Sequence, residues 1–351
     1  MAEQIKSDQV TPKQLLKALI LAIKNRLPIL IKGRPGVGKT DIVSQATKEA
    51  SARLIISHPV VSDPTDFKGL PFADADGKTA RFLPFGDLAE LSNAQEETVF
   101  FLDDLGQAPA SVQAACMQLI LARRINGHTV SNNVTFIAAT NRREDKAGVM
   151  GILEPVKSRF ASILELIPDV NQWRQWALSA GLPMELIAFI GFRPSLIDGF
   201  KATQDLVNTP SPRTIHNIGK LMLAGTPSDL EFPLFSGAAG EGFSTEFLAF
   251  LRIYRNLPNP DLVLMQPGSA EIPTDPATLY ALCGALAARA SDQNFARLIE
   301  YANRLSQEEH GGMKHGEFSL MLITDILQSK PELKNTKAFI DWSVKHADLL
   351  I

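Results

Sequence analysis

The run Gly33-Arg34-Pro35-Gly36-Val37-Gly38-Lys39-Thr40 constrains this chain more than any other feature. Apolar residues from Leu27 to Ile31 precede it and read as a short buried strand. Asp41 to Ser51 follows with helical spacing. A strand, a glycine-rich turn and a helix in this order present backbone N–H groups to an anion. Glycines let the turn curl around phosphate oxygens, and the helix N-terminus adds positive potential. The spacing G-x-x-x-x-G-K-T therefore predicts a nucleotide loop made of Gly33, Arg34, Pro35, Gly36, Val37, Gly38, Lys39, Thr40 and Asp41. Lys39 reaches toward the β- and γ-phosphates and Thr40 toward Mg²⁺. A glycine-rich turn with a chance Lys-Thr is the plainer alternative.

Short apolar segments recur after this loop: Ala52 to Ser57, Val99 to Leu102, Val134 to Ala139 and Ala161 to Ile167. Helical patterns at Thr11 to Asn25 and Ser111 to Ala122 alternate with them. Such alternation predicts an α/β core with a parallel sheet covered on both faces. Beyond Pro168 the pattern turns helical: Val170 to Ala180, Pro183 to Phe189, Pro212 to Ala224, Glu241 to Arg255, Pro276 to Ala290, Asn294 to Leu305, Phe318 to Gln328 and Glu332 to Ala347. Proline- and glycine-rich joints are expected near 225–240 and 258–276. The expected division is a nucleotide-binding core at 1–168, a helical lid at 169–258 and a helical C-terminal extension at 259–351.

Val99-Phe100-Phe101-Leu102-Asp103-Asp104 is an apolar strand ending in two carboxylates. Asp103 is placed to hold Mg²⁺, and Asp104 to orient the attacking water. A helix cap or turn is the alternative for either carboxylate.

With these two motifs in place the chain resembles the AAA+ superfamily, and within it the MoxR-like ATPases, over about residues 12–225. The resemblance implies the fold of a P-loop NTPase with an all-helical lid, and ATP and Mg²⁺ as cofactors. Phe136-Ile137-Ala138-Ala139-Thr140-Asn141 resembles the sensor 1 strand, so Asn141 would position the hydrolytic water. Glu154-Pro155-Val156-Lys157-Ser158-Arg159-Phe160 resembles the segment carrying an arginine finger. Arg159 would then reach a nucleotide held by an adjacent subunit, with Lys157 the weaker candidate. Ser211-Pro212-Arg213-Thr214 resembles sensor 2, which gives Arg213 the task of coupling the lid to the γ-phosphate. A turn-forming asparagine and two solvated arginines are the plainer readings of these three residues.

Two insertions fit the same resemblance. Asp63 to Gly69 leads into Leu70 to Leu88, where Asp74-Ala75-Asp76-Gly77 marks a hairpin turn. Arg124 to Val134 carries an Asn126-Gly127 turn signal. In relatives such insertions project toward the ring pore, which makes Phe72, Lys78, Arg81, Phe82 and Phe85 candidate contacts for a client. Packing of these side chains onto their own domain is the alternative. One position departs from the family: Asp104 stands where glutamate is usual, one methylene shorter, and slow hydrolysis is expected. His58 is placed either to bond Asp104 or to cap local structure.

Composition bounds the alternatives. A formal net charge of −3 gives no sign of an extended nucleic-acid surface. Cys116 and Cys283 lie far apart with no metal spacing, and they read as buried thiols. His310 and His315 around Gly-Gly lack a third ligand. Trp173 and Trp176 have the i, i+3 spacing of packing residues. Leu15 to Ile23 is too short to span a bilayer, which takes about 20 apolar residues. The sequence therefore reads as a cytoplasmic ATPase acting as a ring, of six subunits by family resemblance, that remodels a protein client. The resemblance implies a client with a von Willebrand factor A domain. A nucleic-acid-dependent motor, or an assembly switch with little turnover, are the competing functions.

Overall fold

The computed structural model describes residues 8–75, 77–145, 151–203, 205–257, 259–307 and 315–346. Two compact units emerge, Met1–Asp169 with Phe200–Gln204, and Val170–Gly199 with Asp205–Ile351.

The first unit begins with β1 (Gln9–Val10) and α1 (Pro12–Asn25). Thr11 and Gln14 form a reciprocal capping box that starts α1, and Arg26, at φ +56°, ends it. Next come β2 (Ile29–Gly33), α2 (Lys39–Glu49), β3 (Arg53–Ser57), α3 (Pro64–Lys68), β4 (Leu70–Ala73), β5 (Ala80–Leu83) and α4 (Gly86–Asn93). The unit continues with β6 (Thr98–Leu102), α5 (Ala110–Ala122), β7 (Arg124–Ile125), β8 (His128–Thr129), β9 (Val134–Thr140), α6 (Glu154–Lys157) and β10 (Ser162–Leu166).

Six strands form one sheet in the order β1-β10-β2-β9-β6-β3, and every pairing is parallel. Alternate side chains of each strand enter different cores, as the two-residue period requires. Leu30, Phe100, Leu102, Phe136 and Ala138 pack with Val112, Cys116 and Leu119 of α5. Ile29, Ile31, Val99, Phe101, Ile137 and Ala139 pack with Leu15 and Leu19 of α1 and Val43 and Ala46 of α2. Burying one such large side chain is worth about 1.5–3 kcal/mol. Both faces are covered, so the α/β expectation holds and the strands read as continuous apolar runs. The register sets Leu102 beside Ala138 and Lys32 beside Thr140. The C-terminal ends of β2, β9 and β6 therefore lie side by side.

Both insertions are antiparallel hairpins, β4–β5 and β7–β8. Asn126 at φ +48° and Gly127 at φ +88° supply the two left-handed residues of a tight turn. The hairpins are also joined to each other. Asn126 Nδ2 donates to the Lys68 carbonyl at 2.9 Å, and a ring nitrogen of His128 lies 2.8 Å from the Phe82 carbonyl. Phe72 and Phe82 remain 51% and 37% exposed, so neither is buried in its own domain. The turn residue Asp76 lies outside the described residues.

The second unit holds α7 (Val170–Ser179), α8 (Met184–Phe192), α9 (Pro212–Leu223), α10 (Ser228–Ala239), α11 (Glu241–Arg255), α12 (Pro260–Met265), α13 (Pro276–Ala288), α14 (Phe295–Gln307), α15 (Gly316–Ser329) and α16 (Lys337–Lys345). One apolar core gathers Phe189, Phe235, Phe243, Phe247 and Phe250. Another gathers Leu282, Leu298, Tyr301, Leu322 and Trp342. The stretch read as a joint near 225–240 is largely α10, which keeps Pro233 inside it. Buried Phe235 and Ala239 hold that helix against the core, while Pro233 faces solvent and its missing N–H is tolerated. The other expected joint contains the short α12. The last expected helix is divided, with a 3₁₀ turn over Pro331–Asn335 before α16.

Trp173 is buried and Trp176 half-exposed against His216. Both cysteines are free and buried, and burial pushes the Cys116 thiol up to about 12. His315 is buried at the start of α15, while His310 lies outside the described residues. Among the described residues, no helix is long and apolar enough to cross a membrane.

Candidate active site

The adjacent strand ends bring five predicted side chains into one hydrogen-bonded circuit. Lys39, 7% exposed, donates from Nζ to the Gly33 and Arg34 carbonyls at 3.0 and 3.1 Å, and to Asn141 Oδ1 at 2.7 Å. The Asn141 amide in turn donates to Asp104 Oδ1 at 3.3 Å. The Asp104 backbone N–H donates to Asp103 Oδ1 at 3.1 Å, and Thr40 Oγ1 donates to Asp103 Oδ2 at 2.8 Å. Since Thr40 follows Lys39 on α2, the circuit closes on itself. Its strand-borne members sit where β6 and β9 end, and its loop members where β2 ends.

The loop backbone fits a phosphate chain. Gly36 and Gly38 have φ of +74° and +101°, a region that side chains oppose. A Cβ at Gly38 would meet no heavy atom within 4 Å, so the mouth of the loop is open there. No side chain caps the N-terminus of α2. A helix N-terminus entered through glycine is a favourable place for an anion. Gly33 is the tight end, where a Cβ would stand 3.0 Å from the Leu166 carbonyl oxygen. Pro35, Val37 and Asp41 complete the run, with Val37 buried beneath it. Thr40 and Asp103 are a hydroxyl and a carboxylate in contact, hard oxygen donors of the kind Mg²⁺ takes together with water and phosphate.

Asp104 has φ +57° and ψ +33°, a left-handed conformation. Asp and Asn tolerate this region better than other side-chain-bearing residues. The turn that follows is pressed against β9, since a Cβ on Gly106 would lie 2.1 Å from Thr140 Oγ1. Glycine at 106 is thus a requirement of close approach. His58 is exposed, and its backbone carbonyl accepts from Ser62 Oγ at 3.0 Å, which fits local capping.

The sequence reading missed an ion network beside the circuit. Arg142, next to Asn141, contacts Asp145 at 2.6 Å, Glu144 at 3.1 Å and Glu165 at 3.1 Å. Lys32, next to Gly33, reaches Glu165 at 3.4 Å and Asp8 at 2.7 Å. Burial works to raise the Glu165 carboxyl. Hydrogen bonds from Arg142 and the charge of Lys32 outweigh it and hold Glu165 below its ordinary value. The same bonds, those to Asp145 first, push Arg142 up. One signal was available: Lys32 and Glu165 are charged residues inside otherwise apolar strands, and they need each other or a third partner.

Of the two remaining predicted arginines, Arg159 belongs to the first unit and Arg213 to the second. Arg159 follows α6, donates to Ser158 Oγ at 3.2 Å, and has a buried Nε with no partner among the described residues. Lys157 pairs with Glu154 at 2.5 Å. Arg213 belongs to the second unit, exposed on the first turn of α9, where Ser211 and Thr214 form a capping box.

Residues 29–166 match the family model for the ATPase family associated with various cellular activities (AAA). The matched segment makes up 138 of the 351 residues. It runs from the start of β2 to the end of β10 and so contains the whole circuit. Solved structures align over a longer span at low identity. One is RuvB from Thermotoga maritima, described as a Holliday junction branch migration motor. It is 17% identical, with 78% of this chain and 80% of that chain covered and a TM-score of 0.40. Another is a putative ATPase from Cytophaga hutchinsonii, 14% identical, with 97% and 90% covered and a TM-score of 0.34. No curated protein matches the chain. The AAA domain makes this protein an ATPase of the P-loop fold, with a parallel-sheet core followed by helices.

Proposed function

We propose that the protein is a MoxR-type AAA+ ATPase of the cytoplasm that hydrolyses ATP at the subunit interfaces of a ring and uses the cycle to remodel a protein client. The observation that carries this reading is the division of the predicted machinery. Lys39, Thr40, Asp103, Asp104 and Asn141 are joined in one circuit, while Arg159 makes its hydrogen bond to Ser158 instead. A guanidinium with an unpartnered buried Nε, outside its own circuit, is suited to serve a second copy.

In this reading Gly33 to Asp41 hold the phosphates, and Thr40 with Asp103 hold Mg²⁺. The metal supplies charge neutralisation on the phosphate oxygens. Asp104 and Asn141 orient a water whose oxygen bonds to the γ-phosphorus as the bond to the bridging oxygen of ADP breaks. Asp104 accepts the water's proton. Arg159 of the neighbouring copy stabilises the charge that develops, and Arg213 reports the state of the γ-phosphate to the second unit. Residues 169–258 then act as the lid, and 259–351 as an extension that carries no recognised motif. The exposed Phe72 and Phe82, with Lys78, Arg81 and Phe85, are the proposed contacts for the client. A partner with a von Willebrand factor A domain is the client class to try first.

The test is sedimentation velocity of Asp104→Asn with and without Mg²⁺–ATP, together with turnover of Arg159→Ala. The reading requires a nucleotide-dependent ring, six-membered in the simplest case, and loss of turnover in Arg159→Ala. A strictly monomeric protein with full turnover in Arg159→Ala overturns it. Salt-sensitive stimulation by single-stranded DNA points to a nucleic-acid motor instead.

A further inference from the structure

Gln113 is among the least exposed polar residues of the AAA domain, at 2%. It sits on the first turns of α5, and its amide is fully used. Nε2 donates to the Ala108 carbonyl at 3.1 Å and to the Gly151 carbonyl at 3.0 Å. Its Oε1 accepts from the Leu153 backbone N–H at 3.0 Å. The first of these partners ends the turn that begins at Asp104. The other two lie on the strand of chain that enters α6 and then Arg159. Leu153 is the N-cap residue of α6.

A second connection runs parallel to the first. The Gly151 N–H donates to the Gly106 carbonyl at 3.3 Å, and Gly106 presses on Thr140, the neighbour of Asn141. Ile152 lies against the same glycine, 3.3 Å from where its Cβ would be. Beyond Leu153, backbone bonds carry the geometry forward, from Val156 N–H to the Leu153 carbonyl at 2.9 Å and from Arg159 N–H to the Val156 carbonyl at 3.1 Å. Val156 is fully buried and Phe160 nearly so, both in the core shared with α5. The segment before Arg159 is thus fixed to the turn after Asp104 by a side chain that cannot rotate without breaking three hydrogen bonds, one buried and two part-buried.

We propose that Gln113 is the positioning residue that sets Arg159 in register with its own subunit's hydrolysis turn, so that displacement of the Asp104–Ala108 turn is passed to the arginine serving the next site. This inference rests on the reading of Arg159 as a residue acting in trans. Gln113 touches no reacting group. Its effect reaches the neighbour's site through Leu153 and Arg159, and leaves the subunit's own circuit of Lys39, Thr40, Asp103, Asp104 and Asn141 assembled.

Two substitutions sever the link from opposite ends. Gln113→Leu removes all three bonds. Leu153→Pro removes only the N–H that Gln113 accepts, at a residue whose φ of −57° already suits proline. Circular dichroism establishes folding of each, and Leu153→Pro decides if Gln113→Leu does not fold. In steady-state assays each variant is expected to lose about tenfold to a hundredfold in kcat, since small displacements of a catalytic group have costs of that order. KM for ATP stays within about threefold of wild type, because ground-state binding is untouched.

The deciding measurement mixes each variant with Asp104→Asn subunits, which have a disabled turn but an intact Arg159. Arg159→Ala mixed in the same way is the control. Recovery of turnover in the Gln113→Leu and Leu153→Pro mixtures, matching the recovery of Arg159→Ala, supports the proposal. Recovery in the control but not in the variants means that their own sites were damaged, and overturns it. Unchanged turnover in both variants overturns it too. Failure of the control itself refutes the trans role of Arg159, and the inference about Gln113 falls with it.

Discussion

Lys39 Nζ donates to Asn141 Oδ1 at 2.7 Å, joining the phosphate loop to the end of the strand two places from the Asp103 strand's outer neighbour. The ammonium is held by this amide and by two loop carbonyls, all of them neutral acceptors. An incoming triphosphate offers the same ammonium a stronger, charged acceptor. Moving Lys39 onto phosphate frees the Asn141 carbonyl while its amide stays near Asp104. On the proposed function the asparagine then becomes available to a water.

Asn141→Ala should therefore leave nucleotide affinity close to wild type and lower kcat by about a hundredfold, the scale for removing one preorganised polar group at a reacting centre. Single-turnover hydrolysis beside equilibrium nucleotide binding measures the two effects separately.

Asp104 in its left-handed turn leads to an expectation about the missing methylene. Asp104→Glu restores the residue usual in the family but places a longer side chain in a conformation that aspartate tolerates better. We expect a loss of about 1 kcal/mol in stability, read by urea unfolding. No gain in turnover accompanies it, because the Asn141 bond at 3.3 Å is built for the shorter carboxylate.

Gly106→Ala forces a methyl group to within 2.1 Å of Thr140 Oγ1. The turn or the strand end must shift. Overpacking of this kind costs about 1–3 kcal/mol, and the displaced Asp104 and Asn141 should lower turnover as well. Thermal unfolding and steady-state hydrolysis report the two losses. A variant with wild-type values in both shows that the contact is not tight.

Two ion-paired carboxylates, Glu165 and Asp325, predict opposite pH responses. Glu165 has a folded-state pKa below its ordinary 4.5. Its contribution is present above the unfolded value and is lost as pH falls through the folded one. Asp325 is the reverse case. Burial, opposed by Arg174 at 2.5 Å, raises it from 3.8 to about 6. Its contribution is full below the unfolded value and is lost as pH rises through about 6. Glu165→Gln should flatten the loss of stability on acidification, and Asp325→Asn should flatten the fall between about pH 4 and 6. Urea midpoints followed downward from pH 4.5 for Glu165→Gln, and between about pH 4 and 6 for Asp325→Asn, each beside wild type, test both signs.

Much of this site was legible in the residues because it is local. A glycine-rich turn between a strand and a helix has few physical uses, and an apolar strand ending in Asp103-Asp104 needs only its own six residues to be recognised. The hairpin at Asn126-Gly127 is legible for the same reason. What escaped depends on contacts across the sheet. Arg142, Lys32 and Glu165 lie far apart in sequence and meet only because β10, β2 and β9 are neighbours. Gln113 looks like any polar residue on a helix until Ala108, Gly151 and Leu153 surround it. The left-handed turn at Asp104 has no periodic signal at all. The helix α10 was read as a joint because Pro233 and several glycines outweigh, in local terms, the burial of Phe235 and Ala239 that holds it.

The most direct test of the central claim is calorimetric titration of Mg²⁺–ATP into wild type and Lys39→Ala. The account predicts saturable binding by the wild-type protein and its loss in the variant, since it proposes the loop at Lys39 as the grip on the triphosphate. Absence of binding by wild type, or equal binding by both proteins, would contradict it.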